Sequence, residues 1–317
     1  ENIFELRDKP EHLIIIGGGP IGTEMAQAHA RLGVHVSVID MQHILPRDDA
    51  ELSAIVREQM KHDGVTFYEQ AGVERVEHGT ESVRVHINHD EQSHCVEGTH
   101  LLVAAGRKAN IDDMGLESAG VQTHKHGIQV DKRLRTSNKR VYAAGDVAGG
   151  PQFTHVAAYH SSILIRNIVF HIPAKVNYAS LPWVTYTDPE LANVGLTPQQ
   201  ASDQYGADNI QVTQWRFKDN DRAVAERRTE GLAKVVTTRK GHILGATICG
   251  PGAGELIGLW GLAIDQKLKI GAVANMIAAY PTYSEVSKRL GGAFFTPKLF
   301  SDKTRKLVGW LQKIPGL

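Results

Sequence analysis

Three glycines, Gly17, Gly19 and Gly22, in the run Gly17-Gly18-Gly19-Pro20-Ile21-Gly22, have the spacing GxGxxG. The first allows a tight turn, the second lets the backbone approach a pyrophosphate, and the third brings a helix close to a strand. The flanks suit that use. Leu13-Ile14-Ile15-Ile16 is an apolar, β-branched run of the kind buried on both faces of a parallel sheet, and Glu24 to Leu32 has helical character ended by Gly33. A helix starting here would offer free N–H groups and about half a positive charge to phosphates. Asp40 ends the next strand, Val36 to Asp40, eighteen residues after Gly22. A carboxylate there can accept hydrogen bonds from ribose hydroxyls and repels a 2′-phosphate. Met41, Gln42 and His43 bring no arginine, so NADH is expected over NADPH. The plainer readings are a glycine-rich turn and a solvated strand-end aspartate.

The elements needed to hold these residues set the organisation. A chain of 317 residues suits two domains better than one core. Helix Ala50 to Lys61, strands near Thr66–Tyr68, Val83–Ile87 and Cys95, and a buried strand Leu101–Gly106 complete an α/β unit. A short strand near Ile128, a strand at Val141–Ala144 and a helix from Val156 to Phe170 follow, with a linker at Ile172–Ser180. Beyond it the pattern gives strands near Trp183–Thr185, Ile210–Trp215, Leu232–Thr237 and His242–Cys249. Helices near Glu255–Ile264, Ile270–Met276 and Glu285–Leu290 make this part α+β.

Composition narrows the function. Lys plus Arg number 35 and Asp plus Glu 35, so no global field recruits nucleic acid or a membrane. The two cysteines, Cys95 and Cys249, form no CxxC, metal spacing or disulfide framework. Buried thiols in a reducing cytoplasm are expected, with no bound metal. The chain starts at Glu1 rather than Met with a strand soon after, which suggests a cut.

At this point the sequence resembles the pyridine nucleotide–disulfide oxidoreductases, the group of lipoamide dehydrogenase, glutathione reductase and mercuric reductase. The resemblance rests on an ordered series: LIIIGGGPIGTEMAQAHARLG, LLVAAGRKAN, VYAAGDVAGG, FTHVAAYHS, TYTDPELANVGLT, DRAVAERRTEGLAKVV, GHILGATICGPGAGELI and YPTYSEVSKR. It implies a doubly wound, Rossmann-like NAD-binding domain over residues 1–112, a returning segment of an FAD-binding domain over 113–175, and an α+β dimerisation domain over 176–317. Gly17, Gly19, Pro20, Ile21, Gly22 and Asp40 would then bind NAD. Ala104, Gly106 and Arg107 match the strand end lining the nicotinamide site, and Glu24 matches a glutamate beside the flavin and nicotinamide rings. Asp146 matches an aspartate on the flavin ribityl chain. Thr154 and His155 match the start of a helix aimed at the flavin, where His155 reads as a polar helix-start residue rather than a catalyst. The implied cofactors are NAD, with FAD in the full-length enzyme, and the implied partner is a second copy in a homodimer.

Two departures qualify the likeness. The family's FAD-binding GxGxxG and CxxxxC redox pair are not in this chain, which reads as loss of the N-terminal flavin-binding half. In the disulfide-reducing members a histidine, oriented by a glutamate five residues later, serves as acid–base partner for a thiol. Here Tyr280 stands in its place, with Pro281 and Glu285 matching. Tyrosine resembles mercuric reductases, yet the vicinal cysteines of their C-termini are missing from Lys313-Ile314-Pro315-Gly316-Leu317. The expected function is hydride transfer from NADH through flavin to a disulfide or other acceptor; the alternative is a non-catalytic, NADH-binding dimeric module. Finally, Phe300, Leu307, Trp310, Leu311 and Ile314 share a helical face beside Lys303, Arg305, Lys306 and Lys313. Such a face usually meets a core, so packing on the chain's own dimer is expected, and contact with a membrane surface is the less expected use.

Overall fold

The computed structural model describes residues 2–80 and 82–314. The ends of the chain at Glu1 and at Pro315-Gly316-Leu317 lie outside the described residues. Two compact units result: one joins the chain up to Ala105 with the chain from Ala179 onward, the other is Gly106–Tyr178.

In the first unit β1 (His12–Ile16) leads through the glycine turn into α1 (Pro20–Arg31), then β2 (His35–Ile39), α2 (Ala50–His62) and β3 (Val65–Tyr68). Next come β4 (Gly72–His78), β5 (Val83–His89), β6 (Gln92–Gly98) and β7 (His100–Val103). The parallel sheet has the order β3-β2-β1-β7, with Ile16 opposite both Ile39 and Val103. On one face Leu13, Ile15, Val36 and Val38 pack with Ala26, Leu52, Val56 and Met60 of the two helices. On the other, Ile14 and Ile39 meet Val85, Ile87 and Val96 of the antiparallel β4-β5-β6 meander. β1 is thus buried on both faces, as its unbroken apolar run requires.

α1 starts four residues before Glu24. Pro20 occupies its first position, where a missing N–H costs nothing. β7 corrects the expectation of a buried strand: it lies at the sheet edge, is only partly buried, and leaves Val103 67% exposed. Cys95 is a second correction. It is exposed on the edge strand β6, whereas Cys249 is buried and its thiol pKa is pushed well up by desolvation.

The second unit holds the β8 (Thr123–His124) and β9 (Gly127–Ile128) hairpin, a 3₁₀ turn at Gly145–Ala148, and α3 (Thr154–Ile168). The strand expected at Val141–Ala144 is reduced to one bridge between Tyr142 and Arg135. Its apolar residues instead fill a small core with Val121, Ile128 and Ala148.

After Ala179 the chain forms β10 (Pro182–Thr185), β11 (Glu190–Gly195), α4 (Pro198–Tyr205), β12 (Ile210–Arg216) and α5 (Asp221–Ala225). It continues with β13 (Leu232–Thr238), β14 (Ile243–Gly250), α6 (Ala253–Asp265), α7 (Ile270–Ala274), α8 (Ser284–Ala293), α9 (Thr296–Leu299) and α10 (Asp302–Leu311). The strands make an antiparallel sheet, β10-β11-β14-β13-β12, covered by Trp260 of α6 and by Val286 and Leu290 of α8.

Within the first unit the two sheets share a core, since Leu191, Leu232 and Cys249 join the cluster around Leu13 and Leu52. A polar seam runs beside it. Asp49 caps α2 and receives Lys234 Nζ on both oxygens, at 2.8 and 2.9 Å. Asp48 accepts Trp183 Nε1 at 2.8 Å and Asn193 Nδ2 at 2.7 Å, and its burial raises its pKa. α10 differs from every longer helix. None of its residues is buried by the rest of this chain. Among the described residues no helix is long and apolar enough to cross a membrane.

Candidate functional site

The glycine turn is closed on two sides and open on the third. Gly17 has φ +115°, and a Cβ there would stand 2.5 Å from the Ala104 carbonyl oxygen. A Cβ on Gly22 would stand 1.8 Å from the Gly17 carbonyl oxygen. Both positions therefore exclude a side chain for reasons internal to the chain. At Gly19 nothing lies within 4 Å of where a Cβ would be. Gly19 is the N-cap of α1, so its N–H and those of Ile21 and Gly22 have no intrahelical partner; Pro20 has none to offer. Open space thus meets unpaired donors and the positive end of a twelve-residue helix. Ile21, half exposed, sits on the same rim.

Asp40 braces this turn. Its carboxylate accepts Gly18 N–H at 2.6 Å on one oxygen and Gln42 N–H at 2.7 Å on the other. Each carboxylate oxygen keeps a further lone pair. Met41, Gln42 and His43 are exposed beside it. Ala104 follows β7 and donates its N–H to the Ile16 carbonyl at 2.7 Å, which fixes the strand end against the turn.

Glu24, one turn into α1, accepts Tyr186 N–H at 2.8 Å. Partial burial raises its pKa, and the hydrogen bond opposes that rise.

In the second unit Gly106 and Arg107 are exposed. The Arg107 guanidinium lies 3.6 Å from Asp146 and donates to the Gln152 carbonyl at 3.0 Å. Asp146 sits in the 3₁₀ turn. Thr154 is exposed at the start of α3, whose N-cap, Phe153, has no capping side chain, and His155 stacks on the Phe153 ring. A residue not singled out from the sequence, His160, holds the Asp146 turn. Its Nδ1 accepts Gly145 N–H at 3.0 Å, so the ring proton is on Nε2, which donates to the Tyr178 hydroxyl at 2.6 Å. Burial lowers the His160 pKa, in keeping with the neutral ring these bonds demand.

Tyr280 lies between α7 and α8 in the first unit. It is 70% exposed, and its hydroxyl donates to Asp221 at 2.9 Å. The Asp221 carboxylate raises the phenol pKa. A phenol has one hydrogen, so Tyr280 presents lone pairs outward and is set to accept rather than donate. Glu285 is not its partner. Instead Glu285 lines a cavity of about 210 Å³ with Trp215, Asp219, Asn220, Asp221 and Arg289. Asn220 explains why Asp221 is there: its side chain caps α5 through Ala223 N–H and donates to the Thr282 carbonyl. Tyr283 then bonds Glu226 just past the other end of α5. Among the described residues no three His, Cys, Asp or Glu side chains are grouped to hold a metal ion.

Residues 1–161 match the family model described as pyridine nucleotide-disulphide oxidoreductase, and residues 181–290 match that family's dimerisation domain. Dihydrolipoyl dehydrogenase of Geobacillus stearothermophilus is 34% identical over 287 residues, covering 90% of this chain and 60% of the relative. Mercuric reductase of Streptomyces lividans is 34% identical over 293 residues, covering 92% and 61%. Among solved structures, the HOCl-induced flavoprotein disulfide reductase RclA of Escherichia coli, in a Cu(II) complex, superposes with a TM-score of 0.85 at 28% identity. It covers 92% of this chain and 66% of its own. LpdA of Mycobacterium tuberculosis gives 0.84 at 28% identity, covering 92% and 63%. The chain therefore spans about 60% of the length of these curated relatives.

Proposed function

The chain belongs to the pyridine nucleotide-disulphide oxidoreductase family, whose members use FAD and NAD(P)H, and from that premise we propose that it is the NADH-binding and dimerisation part of an FAD-dependent oxidoreductase. The complete enzyme passes reducing equivalents from NADH through flavin to a disulfide or another acceptor. The observation that carries the reading is the turn at Gly17–Gly22, shut at its first and third glycines and open at Gly19. That opening fits a pyrophosphate, held by backbone N–H groups of Gly19, Ile21 and Gly22. Asp40 would take the adenosine ribose hydroxyls on its remaining lone pairs and exclude a 2′-phosphate by charge. In the first unit Ala104 and Glu24 match family residues beside the nicotinamide; in the second unit Gly106 and Arg107 match residues of the nicotinamide-lining motif, and Asp146 and the start of α3 at Thr154 match residues that hold FAD. When bound, the nicotinamide supplies a hydride and the flavin takes up its two electrons.

Tyr280, with Asp221 behind it and Glu285 nearby, would face the acceptor across a homodimer built on residues 181–290. An acceptor-only hydroxyl cannot protonate a leaving thiolate, so small neutral disulfides would be poor acceptors. The reading places the enzyme in a reducing compartment, the cytoplasm.

Calorimetry with NADH and NADPH, beside ultracentrifugation and an absorbance scan of the purified chain, tests the proposal. A colourless dimer that prefers NADH is expected, because this chain carries no second GxGxxG for a flavin pyrophosphate. Failure to bind either nucleotide would overturn it, as would equal affinity for both in the case of Asp40.

A further inference from the structure

Helix α10 is amphipathic, and the rest of the chain buries none of its residues. At 100° per residue Leu307, Val308 and Leu311, with Ile314 in the following turn and Thr304 between them, occupy an arc of about 120°. Leu307, Val308 and Leu311 are exposed, and Trp310, at one margin of the arc, is 61% exposed. Just before the helix Leu299 and Phe300 are exposed as well. The remaining surface is basic. Residues 296–314 carry Lys298, Lys303, Arg305, Lys306 and Lys313 against Asp302 alone, a net +4, while the whole chain sums to +0. Lys303 and Arg305 project from opposite margins of the apolar arc, and Lys306 and Lys313 fall on the polar side.

This distribution decides between partners. A helix that packs on protein presents an apolar stripe whose neighbours are charge-balanced by the opposing surface. The part of the chain that matches a dimerisation domain is residues 181–290, so it ends before α9 and α10 begin. A surplus of cations at both margins, with an indole at one of them, suits instead a face entering the acyl boundary while long cationic side chains reach back to anionic headgroups. We propose that α10 is a peripheral anchor lying in the plane of an anionic bilayer, with Leu307, Val308, Leu311 and Ile314 inserted and Lys303, Arg305, Lys306 and Lys313 on the headgroups. One ten-residue helix binds weakly. Two, presented by a dimer, gain from linkage.

Sedimentation of the intact chain with vesicles tests this, comparing phosphatidylcholine alone with a mixture holding roughly one-third phosphatidylserine. The chain should pellet with the anionic vesicles, at least about tenfold better than with neutral ones, and release as salt is raised. The double variants Lys303→Glu/Lys306→Glu and Leu307→Ser/Leu311→Ser should each abolish pelleting without lowering the melting temperature, since α10 contributes no buried residue. No pelleting with anionic vesicles would overturn the proposal, as would pelleting indifferent to both variants. Conversion of a dimer to monomers by Leu307→Ser/Leu311→Ser would assign the face to a second copy and overturn it equally.

Discussion

The glycine turn and the Tyr280 corner are held in place by different forces. At the turn, position follows from collisions: a Cβ at Gly17 or Gly22 would meet backbone atoms that cannot move without unmaking β1, β7 or α1. At the corner, Tyr280 is exposed and its direction depends on one hydrogen bond to Asp221, itself placed by the Asn220 cap. A site defined by excluded volume tolerates almost no change, and it has one geometry. A site defined by the direction of a hydrogen bond can be re-aimed by a single side chain; under the proposed function, acceptor specificity would change by such steps while the turn stays constant.

The sharpest way to break this contrast is to add one methyl group at a closed position of the turn and one at its open position. Gly22→Ala should cost about 3 kcal/mol or more, because the nearest atoms are backbone. NADH binding should disappear with it. Gly19→Ala, in open space, should change stability by about 1 kcal/mol or less while still weakening NADH, since the methyl group occupies the ligand's side of the turn. Thermal melts and calorimetry on the pair check both statements; equal melting losses would show that the turn is not asymmetric.

Asp40→Asn comes next. It removes the charge and leaves an amide facing Gly18 or Gln42, whose N–H groups now need an acceptor. A charge-assisted hydrogen bond contributes about 1.5–3 kcal/mol, so NADH affinity should fall at least about tenfold and discrimination against NADPH should shrink. Unchanged selectivity in titrations with both nucleotides would remove Asp40 from the site.

A smaller effect is expected from acid. His160 is held neutral by its two hydrogen bonds, with its pKa below the ordinary 6.5. The unfolded chain therefore takes up this proton first, so the contribution of His160 is complete above about pH 6.5 and is lost as pH falls toward the folded value. Melting curves of the chain and of His160→Phe should diverge least in acid. A constant gap from neutral to acid pH would show that the ring does not titrate with unfolding.

The smallest change is at the corner itself. Asp221→Asn should let the Tyr280 phenol titrate nearer the ordinary value of about 10, read as an ultraviolet difference against Tyr280→Phe. Stability should hardly move, as the pair is exposed.

The same contrast governs what could be read from the sequence. The turn, Asp40 and the flanking strands are legible because their causes are local: a glycine spacing, an apolar run and an acid at a strand end. Asp221 could not be found that way. It meets Tyr280 across 59 residues, and only the assembled sheet with α5 and α8 brings the two together. β11 escaped because Pro189 and Asn193 argue against a strand, yet Asn193 is tolerated there by its bond to Asp48. Val141–Ala144 misled in the opposite sense, as a strand-like run with no partner strand beyond a single bridge. The amphipathic pattern of α10 was visible, whereas the absence of cover from the rest of this chain was not, because periodicity describes a face and says nothing of what meets it.

The seam between the two sheets bears on how such a protein can be inherited and recombined. Lys234 and Asp49 come from segments 185 residues apart, yet each neutralises the other in a nearly dry setting, and Leu191, Leu232 and Cys249 fill the core beneath α2. A crossover between them, joining the parallel sheet of this lineage to the antiparallel sheet of one that lacks the matching ion pair, would leave a buried lysine or aspartate without its counter-ion, at about 3–5 kcal/mol. The 106–178 unit is inserted in sequence within this body, and the seam residues named above all lie outside it. Exchange by insertion at that unit's ends is therefore tolerable where splicing within the two-sheet body is not, and the body should pass between lineages as one piece.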